Sequence, residues 1–365
     1  MASSRYFVIT PTDGLHAADS LSEALAARQE GGFLWLDFGD PSLEVLTALV
    51  EPLGLHPLAI EDCLDEDQVP KMEEFPNHTF ILFNRYRQGP GDAAVEEVNF
   101  FLGDRFVVSV HSHGQGETGL GERLETTARR DLQQAGKGPD FLLQVLLDDI
   151  VDEKFAAIEA LQEQLDDIEE EMLGSAADFR PGRLIRLRRT LLRVRKSLVY
   201  EREILVKVCR RDSPFISQDV IYDFRDIYDH LAKFFEVIEI CRELIASIME
   251  IHLAIINNQM TMAANKTNYV VRRLTLITTV FMPLTLLAGI GGMSEWSMMT
   301  GPGNWRIAYP AFLGLTLLIA FASYRLLRWF DARDRADVPA HMVGYTSDEP
   351  DTPRGREPQR VSAKG

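Results

Sequence analysis

The chain has 365 residues, enough for one large domain or two modest ones, and its 46% apolar content leaves only a minor part for a membrane. Lys and Arg total 38 against 55 Asp and Glu, a net charge of −17. That excludes a nucleic-acid binder, whose surface must be basic to meet phosphates, and suits a protein that attracts cations. Cys63, Cys209 and Cys241 stand far apart, with neither a C-x-x-C pair nor a disulfide framework, as in a reducing compartment.

The start, MASSRYFVIT, has no basic stretch followed by an apolar one, so a cytosolic beginning is expected. Strands are predicted at Tyr6–Thr10, Phe33–Phe38, Thr79–Tyr86 and Val98–Val110, where β-branched and aromatic residues concentrate. Gly103-Asp104 reads as a hairpin turn inside the last run. Helices are predicted near Ser20–Ala27 and Ser42–Leu53, which makes residues 1–138 a cytosolic α/β domain. His56, before Pro57, reads as a cap or a packing residue. His111 and His113 are expected at the surface.

From about Pro139 the period changes to that of long helices. Phe155, Ile158, Leu161, Leu165, Ile168 and Met172 form one apolar stripe, and Leu184, Leu187, Leu191, Val194 and Leu198 another. Eleven acids and one Lys lie between Asp148 and Glu171, whereas Arg180–Lys196 holds eight basic residues and no acid. The short connection GSAADFRPG predicts an antiparallel pair over 139–216, with the acidic face either pairing with the basic one or meeting solvent. After Pro214 a helix is expected from about Ser217 into the next segment.

Leu274–Met293 is twenty residues without a charge, and Ile307–Tyr324 is eighteen. A bilayer core takes roughly 17–25 apolar helical residues, so both are expected to span it. Lys266, Arg272 and Arg273 precede the first run, and Arg325, Arg328, Arg333 and Arg335 follow the second. Positive flanks stay inside, which predicts cytoplasmic termini in a cell inner membrane and a short outer loop. Trp296, Trp305 and Trp329 sit near the ends of the spans as interfacial anchors. The division is thus a helix over 217–294 entering the membrane, a loop over 295–306, a second span over 307–330, and a disordered tail over 331–365. No nucleophile–base pairing, phosphate loop or metalloprotease signature appears, so an enzyme is not expected.

Four segments then carry a resemblance. Asn265–Glu295, containing FMPLT and AGIGGMS, resembles the membrane-entering segment of the CorA family of divalent-cation (Mg²⁺, Co²⁺, Ni²⁺) transporters. His56–Phe75, Phe101–His111 and FRDIYDH at Phe224–His230 are similar to that family's cytosolic signatures. The resemblance covers roughly residues 5 to 330, in order. It implies an α+β pentameric funnel: a cytosolic α/β domain, long helices and a C-terminal two-helix transmembrane hairpin. Mg²⁺ is implied as the transported and regulatory ion, with no organic cofactor and no nucleic-acid partner. The partners are the lipid bilayer, divalent cations and four further copies of the chain. This sequence departs from the family's Y-G-M-N with Gly291-Gly292-Met293-Ser294, replacing Asn by Ser at the implied pore mouth.

On that basis Asn268, Thr278, Met282, Thr285 and Gly289 share one face of the first membrane helix. With Gly292, Met293 and Ser294 they would line a pore, Leu274 and Met282 would form its apolar constrictions, and Glu295 would draw cations to the mouth. The alternative for Thr278 and Thr285 is back-bonding to the preceding turn. The resemblance also implies a regulatory intersubunit metal site at Glu61, Asp62 and Asp226. Three readings stay open: Mg²⁺ influx gated by cytosolic metal, zinc transport as in the related ZntB branch, and a membrane-anchored homologue that no longer conducts. With no His or Cys on the pore face, Mg²⁺ is favoured over Zn²⁺.

Overall fold

Runs such as FLWLDFG and FVVSVH are apolar at nearly every position, the pattern of strands covered on both faces. They become β3 (Phe33–Gly39) and β7 (Phe106–His111), the parallel centre of a seven-stranded sheet, and every residue of both is buried. The computed structural model describes residues 3–10, 14–27, 32–65, 68–89, 92–111, 120–131, 137–174, 179–292, 301 and 303–336. The remaining strands are β1 (Ser3–Thr10), β2 (Gly14–Ala18), β4 (Lys71–Glu74), β5 (Thr79–Gly89) and β6 (Asp92–Gly103). Their order is β2-β1-β3-β7-β6-β5-β4, and all pairs other than β3–β7 are antiparallel. The predicted hairpin joins β6 to β7. A Cβ at Gly103 would run into the Phe106 ring, so that turn requires glycine.

The sheet divides two cores. On one face, α1 (Leu21–Ala27), α2 (Leu43–Thr47), α3 (Val50–Leu53) and α4 (Pro57–Leu64) pack Ala24, Leu46, Leu53 and Ile60 against Leu34, Phe80, Phe101 and Val108. On the other lie α5 (Leu120–Asp131), α6 (Pro139–Gly174), α7 (Gly182–Cys209) and the first part of α8 (Ile221–Gly291). The stripes predicted for α6 and α7 are buried, except that Phe155 is 56% exposed. The acidic and basic faces meet only in part. Arg183 Nη1 reaches Glu171 Oε2 at 2.7 Å, while Arg195 pairs with Glu239 of α8 instead.

Two polar groups interrupt the larger core. Lys154 Nζ lies 2.6 Å from Glu201 Oε1 with both side chains fully enclosed, and the ammonium also stands 4.0 Å from the Phe83 ring centre. Burial lowers the Lys154 pKa to about 8, against the pull of the Glu201 carboxylate. On the sheet, Trp35 Nε1 donates to Ser109 Oγ (3.0 Å), and that hydroxyl donates to Asp37 Oδ1 (2.6 Å). His111 Nε2 lies 3.3 Å from the same carboxylate oxygen. The expected surface position of His111 is therefore wrong: it is 4% exposed, held inside by a buried acid. His113 lies outside the described residues.

The chain falls into two units, Met1–Ile256 and Asn257–Gly365, with the division inside α8. The second unit holds the end of α8 and α9 (Trp305–Ala336). Both helices are long and apolar enough to cross a membrane, and their apolar windows have no buried residue. Such surface is unfavourable in water and ordinary in lipid. The second helix begins and ends outside the expected span 307–330. Most of the expected tail lies outside the described residues.

Candidate pore face and metal-binding cluster

In the second unit, Thr278, Met282, Thr285 and Gly289 line one shallow apolar groove along α8, joined by Phe281, Leu286 and Ile290. Steps of four, three and four residues set them on one side of a helix with 3.6 residues per turn. Asn268 and Leu274 are exposed on the same helix. Thr278 Oγ donates to Leu274 O at 3.1 Å, and Thr285 Oγ donates to Phe281 O at 2.8 Å. The back-bonding alternative is thus realised, yet it does not remove the hydroxyls from use. Each has spent its proton inward and keeps acceptor lone pairs at the surface.

Gly292 follows the last residue of α8, its N–H donating to Ala288 O at 3.0 Å. Met293, Ser294 and Glu295 lie outside the described residues. Just before them, a Cβ on Gly291 would stand 2.7 Å from the Phe312 ring of α9. The ring fills the space beside the position where the family pattern carries Tyr.

In the first unit, α4 carries Glu61 and Asp62. His56, expected to cap or to pack, does both: Nδ1 accepts from Leu58 N, and the ring stacks on Phe75 with centroids 4.6 Å apart. Glu61 is exposed. Asp62 is half-buried and already engaged: Lys71 Nζ lies 2.7 Å from Oδ2, and Gln68 Nε2 donates to Oδ1 at 3.1 Å. Asp226 is exposed on α8, 4.0 Å from His230 one turn on. The expected grouping of Asp226 with Glu61 and Asp62 joins two subunits. Within one chain, Asp226 acts on Asp148 of α6 instead.

That neighbourhood holds a cluster the sequence reading did not name. Asp148 and Asp152, one turn apart on α6, bring carboxylate oxygens within 4.8 Å of each other and of a ring nitrogen of His230. Burial pushes the Asp148 pKa up to about 6; Asp152, Asp226 and Asp149 add to the rise, and His230 opposes it. Excess negative potential at converging donors is what a divalent cation relieves. Two carboxylates would serve any hard or borderline ion, whereas the imidazole leans toward Co²⁺, Ni²⁺ or Zn²⁺. The signal was present as two pairs at i, i+4, Asp148/Asp152 and Asp226/His230. Only the packing of α6 on α8 joins them.

The family model described as CorA-like Mg²⁺ transporter protein matches residues 30–329. The cobalt/magnesium transport protein CorA of Thermotoga maritima is 30% identical over 319 residues, covering 85% of this chain and 87% of that protein. The zinc transport protein ZntB of Yersinia enterocolitica is 23% identical over 302 residues, covering 80% and 85%. The complete structure of the CorA magnesium transporter from Methanocaldococcus jannaschii superposes with a TM-score of 0.64 at 21% identity, covering 89% of this chain and 97% of that one. A mixed sheet, long helices and two apolar helices near the C-terminus are thus a shared fold, and the family match runs from before β3 through most of α9. The chain belongs to the CorA-like Mg²⁺ transporter protein family.

Proposed function

We propose that the chain carries divalent cations, Mg²⁺ foremost, across a cell inner membrane, through a pore built by five copies. Both termini face the cytoplasm in this reading, and cytosolic metal closes the path. The observation that carries it is the α8 face itself, where Thr278 and Thr285 offer neutral oxygens and Met282 and Gly289 offer no charge. Mg²⁺ sheds its water reluctantly, so a conducting wall should touch the water shell weakly and leave it intact. Asn268, Leu274, Gly292, Met293 and Ser294 extend this lining, and Glu295 concentrates cations at the mouth. Control is assigned to Glu61, Asp62 and Asp226 at subunit boundaries, with Asp148, Asp152 and His230 beside Asp226. An ion bound there screens acids that otherwise repel.

A second reading, zinc transport, draws on His230, since imidazole is a better ligand for Zn²⁺ than for Mg²⁺. The test is uptake by the purified protein in liposomes under an inside-negative potential, read with Mg²⁺- and Zn²⁺-sensitive dyes. The natural chain should admit Mg²⁺. Ser294→Asn should raise the rate, because an amide carbonyl holds hydration water more strongly than a hydroxyl. Zn²⁺ uptake without Mg²⁺ uptake would install the second reading, and no uptake of either ion would leave a non-conducting homologue.

A further inference from the structure

We propose that the outward face of α7 docks on the outward face of α6 in a second copy of this chain, with Arg189 meeting Asp167 and Lys196 meeting Glu159. Such a contact rests on the five-copy assembly proposed above and supplies one of its joints. Ile185, Arg189, Leu192, Lys196 and Val199 follow one another on α7 at steps of four and three, so they form one stripe turned away from the buried stripe of the same helix. Its apolar members, Ile185, Leu192 and Val199, are 44%, 44% and 40% exposed and recur at every seventh residue. Single apolar residues on a surface are ordinary, whereas a seven-residue repeat is the spacing at which one helix seats another.

Arg189 and Lys196 call for an acidic helix as the occupant, and the chain itself carries one. Glu159, Glu163, Asp167 and Glu170 run along α6 at steps of four, four and three, all exposed and all opposite its buried stripe. Among the described residues, none of these acids makes an ion pair, and neither does Arg189 or Lys196. One hairpin therefore presents an unneutralised acidic ridge on one helix and an unneutralised basic ridge on the other, and two copies set side by side neutralise both. Exposed ion pairs contribute little singly, so the apolar residues between them, packed on the methylene stems of the glutamates, supply the contact area. A lipid surface is the poorer occupant. An interfacial helix needs a broad apolar face, and here cations alternate with the apolar residues along a narrow stripe.

The register follows from the hairpin. Within one chain the two helices are level where Arg183 Nη1 meets Glu171 Oε2 at 2.7 Å. Helices rise equally per residue, so Arg189 lies level with about residue 165 and Lys196 with about residue 158, close to Asp167 and Glu159. A head-to-tail contact repeated around a rotation axis parallel to the hairpin keeps every copy at one height, so these levels carry over from one copy to the next. Each copy then offers α7 to one neighbour and α6 to the other, which is the arrangement that closes a ring.

The experiment coexpresses two full-length variants, Arg189→Cys and Asp167→Cys, so that any link between the two positions joins two copies. A short bis-maleimide is added in detergent, and the natural chain sets the background from Cys63, Cys209 and Cys241. A linked dimer should form, with peptide mass spectrometry placing the link between positions 189 and 167. Lys196→Glu in the first variant should lower its yield several-fold, and Glu159→Lys in the second should restore it. Replacing the first variant by Asp104→Cys, at an exposed turn, should give no more than background. An equal yield from Asp104→Cys, or a yield unmoved by Lys196→Glu, would overturn the docking. Light scattering on the natural chain separates the remaining outcomes. No link from a particle of several copies overturns this contact and leaves the assembly standing, whereas a particle of one copy overturns both.

Discussion

Lys154 is the one basic residue in the acidic run of α6, and it is wholly enclosed against Glu201. Glu201 Oε1 also accepts from Asn84 N and Ser197 Oγ, both at 3.1 Å, so one carboxylate ties α6, α7 and β5 together. A buried pair of this kind contributes little net stability, because desolvation offsets attraction, yet breaking it strands a charge. Lys154→Met should cost about 3–5 kcal/mol in urea unfolding of the full chain, and Lys154→Met/Glu201→Leu should recover more than half of that. A single variant within about 1 kcal/mol of the natural chain would refute this account. His78 gives a pH-dependent counterpart. Its ring is fully enclosed between Phe75 and Phe101, with centroids 4.9 and 5.4 Å away. Burial first, and then the proximity of His56, lowers its pKa to about 4. The unfolded chain takes up a proton near pH 6.5 while the folded one resists, so this contribution is complete above pH 6.5 and is lost as pH falls through about 4. The loss amounts to roughly 3 kcal/mol, at about 1.4 kcal/mol per pH unit of displacement. His78→Phe should flatten the fall in unfolding free energy between pH 7 and pH 4.5, and an unchanged slope would clear His78 of it.

At the scale of elements, Gly291 and Phe312 decide how the apolar hairpin closes. With the Phe312 ring already 2.7 Å from where a Cβ would sit, Gly291→Val overfills the contact and should cost about 1–3 kcal/mol. Adding Phe312→Ala should relieve it. A thermal melt of the detergent-solubilised chain reads both, and a neutral Gly291→Val would mean the ring swings aside freely. This contact was not legible in the sequence, where Gly291 showed only as a departure from a pattern. The hairpin was legible, because twenty uncharged residues are a sum that no single substitution obscures. The central strands and the long helices were read for the same reason. The strands that escaped, β2 (GLHAA) and β4 (KMEE), are the two edges of the sheet. Edge strands are short and often charged to discourage further pairing, so they lack the apolar alternation that identifies a strand. Helix α5, LGERLETTARRD, escaped because it shows the core little beyond Leu120, Leu124 and Ala128. His111 was misplaced because its partner, Asp37, is 74 residues away and meets it only through the parallel β3–β7 pairing.

For the whole molecule, a net charge of −17 is a standing cost of self-repulsion that bound cations reduce, and the acids of α6 are where the repulsion is most concentrated. Helix α8 bears Asp226 and His230 near one end and Thr278 and Thr285 near the other, so in the proposed function an ion bound early on this helix and an ion passing late would share a covalent element. A metal that binds only the closed arrangement stabilises it in proportion to its differential affinity, and any group that sets this affinity also sets the threshold for closure. Asp148, Asp152 and His230 converge within 4.8 Å, so they should contribute to that affinity together with Asp226. Limited proteolysis of the full chain measures it, with the metal concentration at half-protection as the readout. Asp148→Asn should raise that concentration for Mg²⁺ and Co²⁺ alike, since a carboxylate serves both. His230→Ala should raise it for Co²⁺ far more than for Mg²⁺, since the imidazole serves mainly the softer ion. Equal shifts for the two metals in His230→Ala would remove the histidine from the ligand set and leave a carboxylate-only site. Unchanged protection in Asp148→Asn would detach the α6–α8 cluster from metal control altogether, leaving Glu61, Asp62 and Asp226 to act without it.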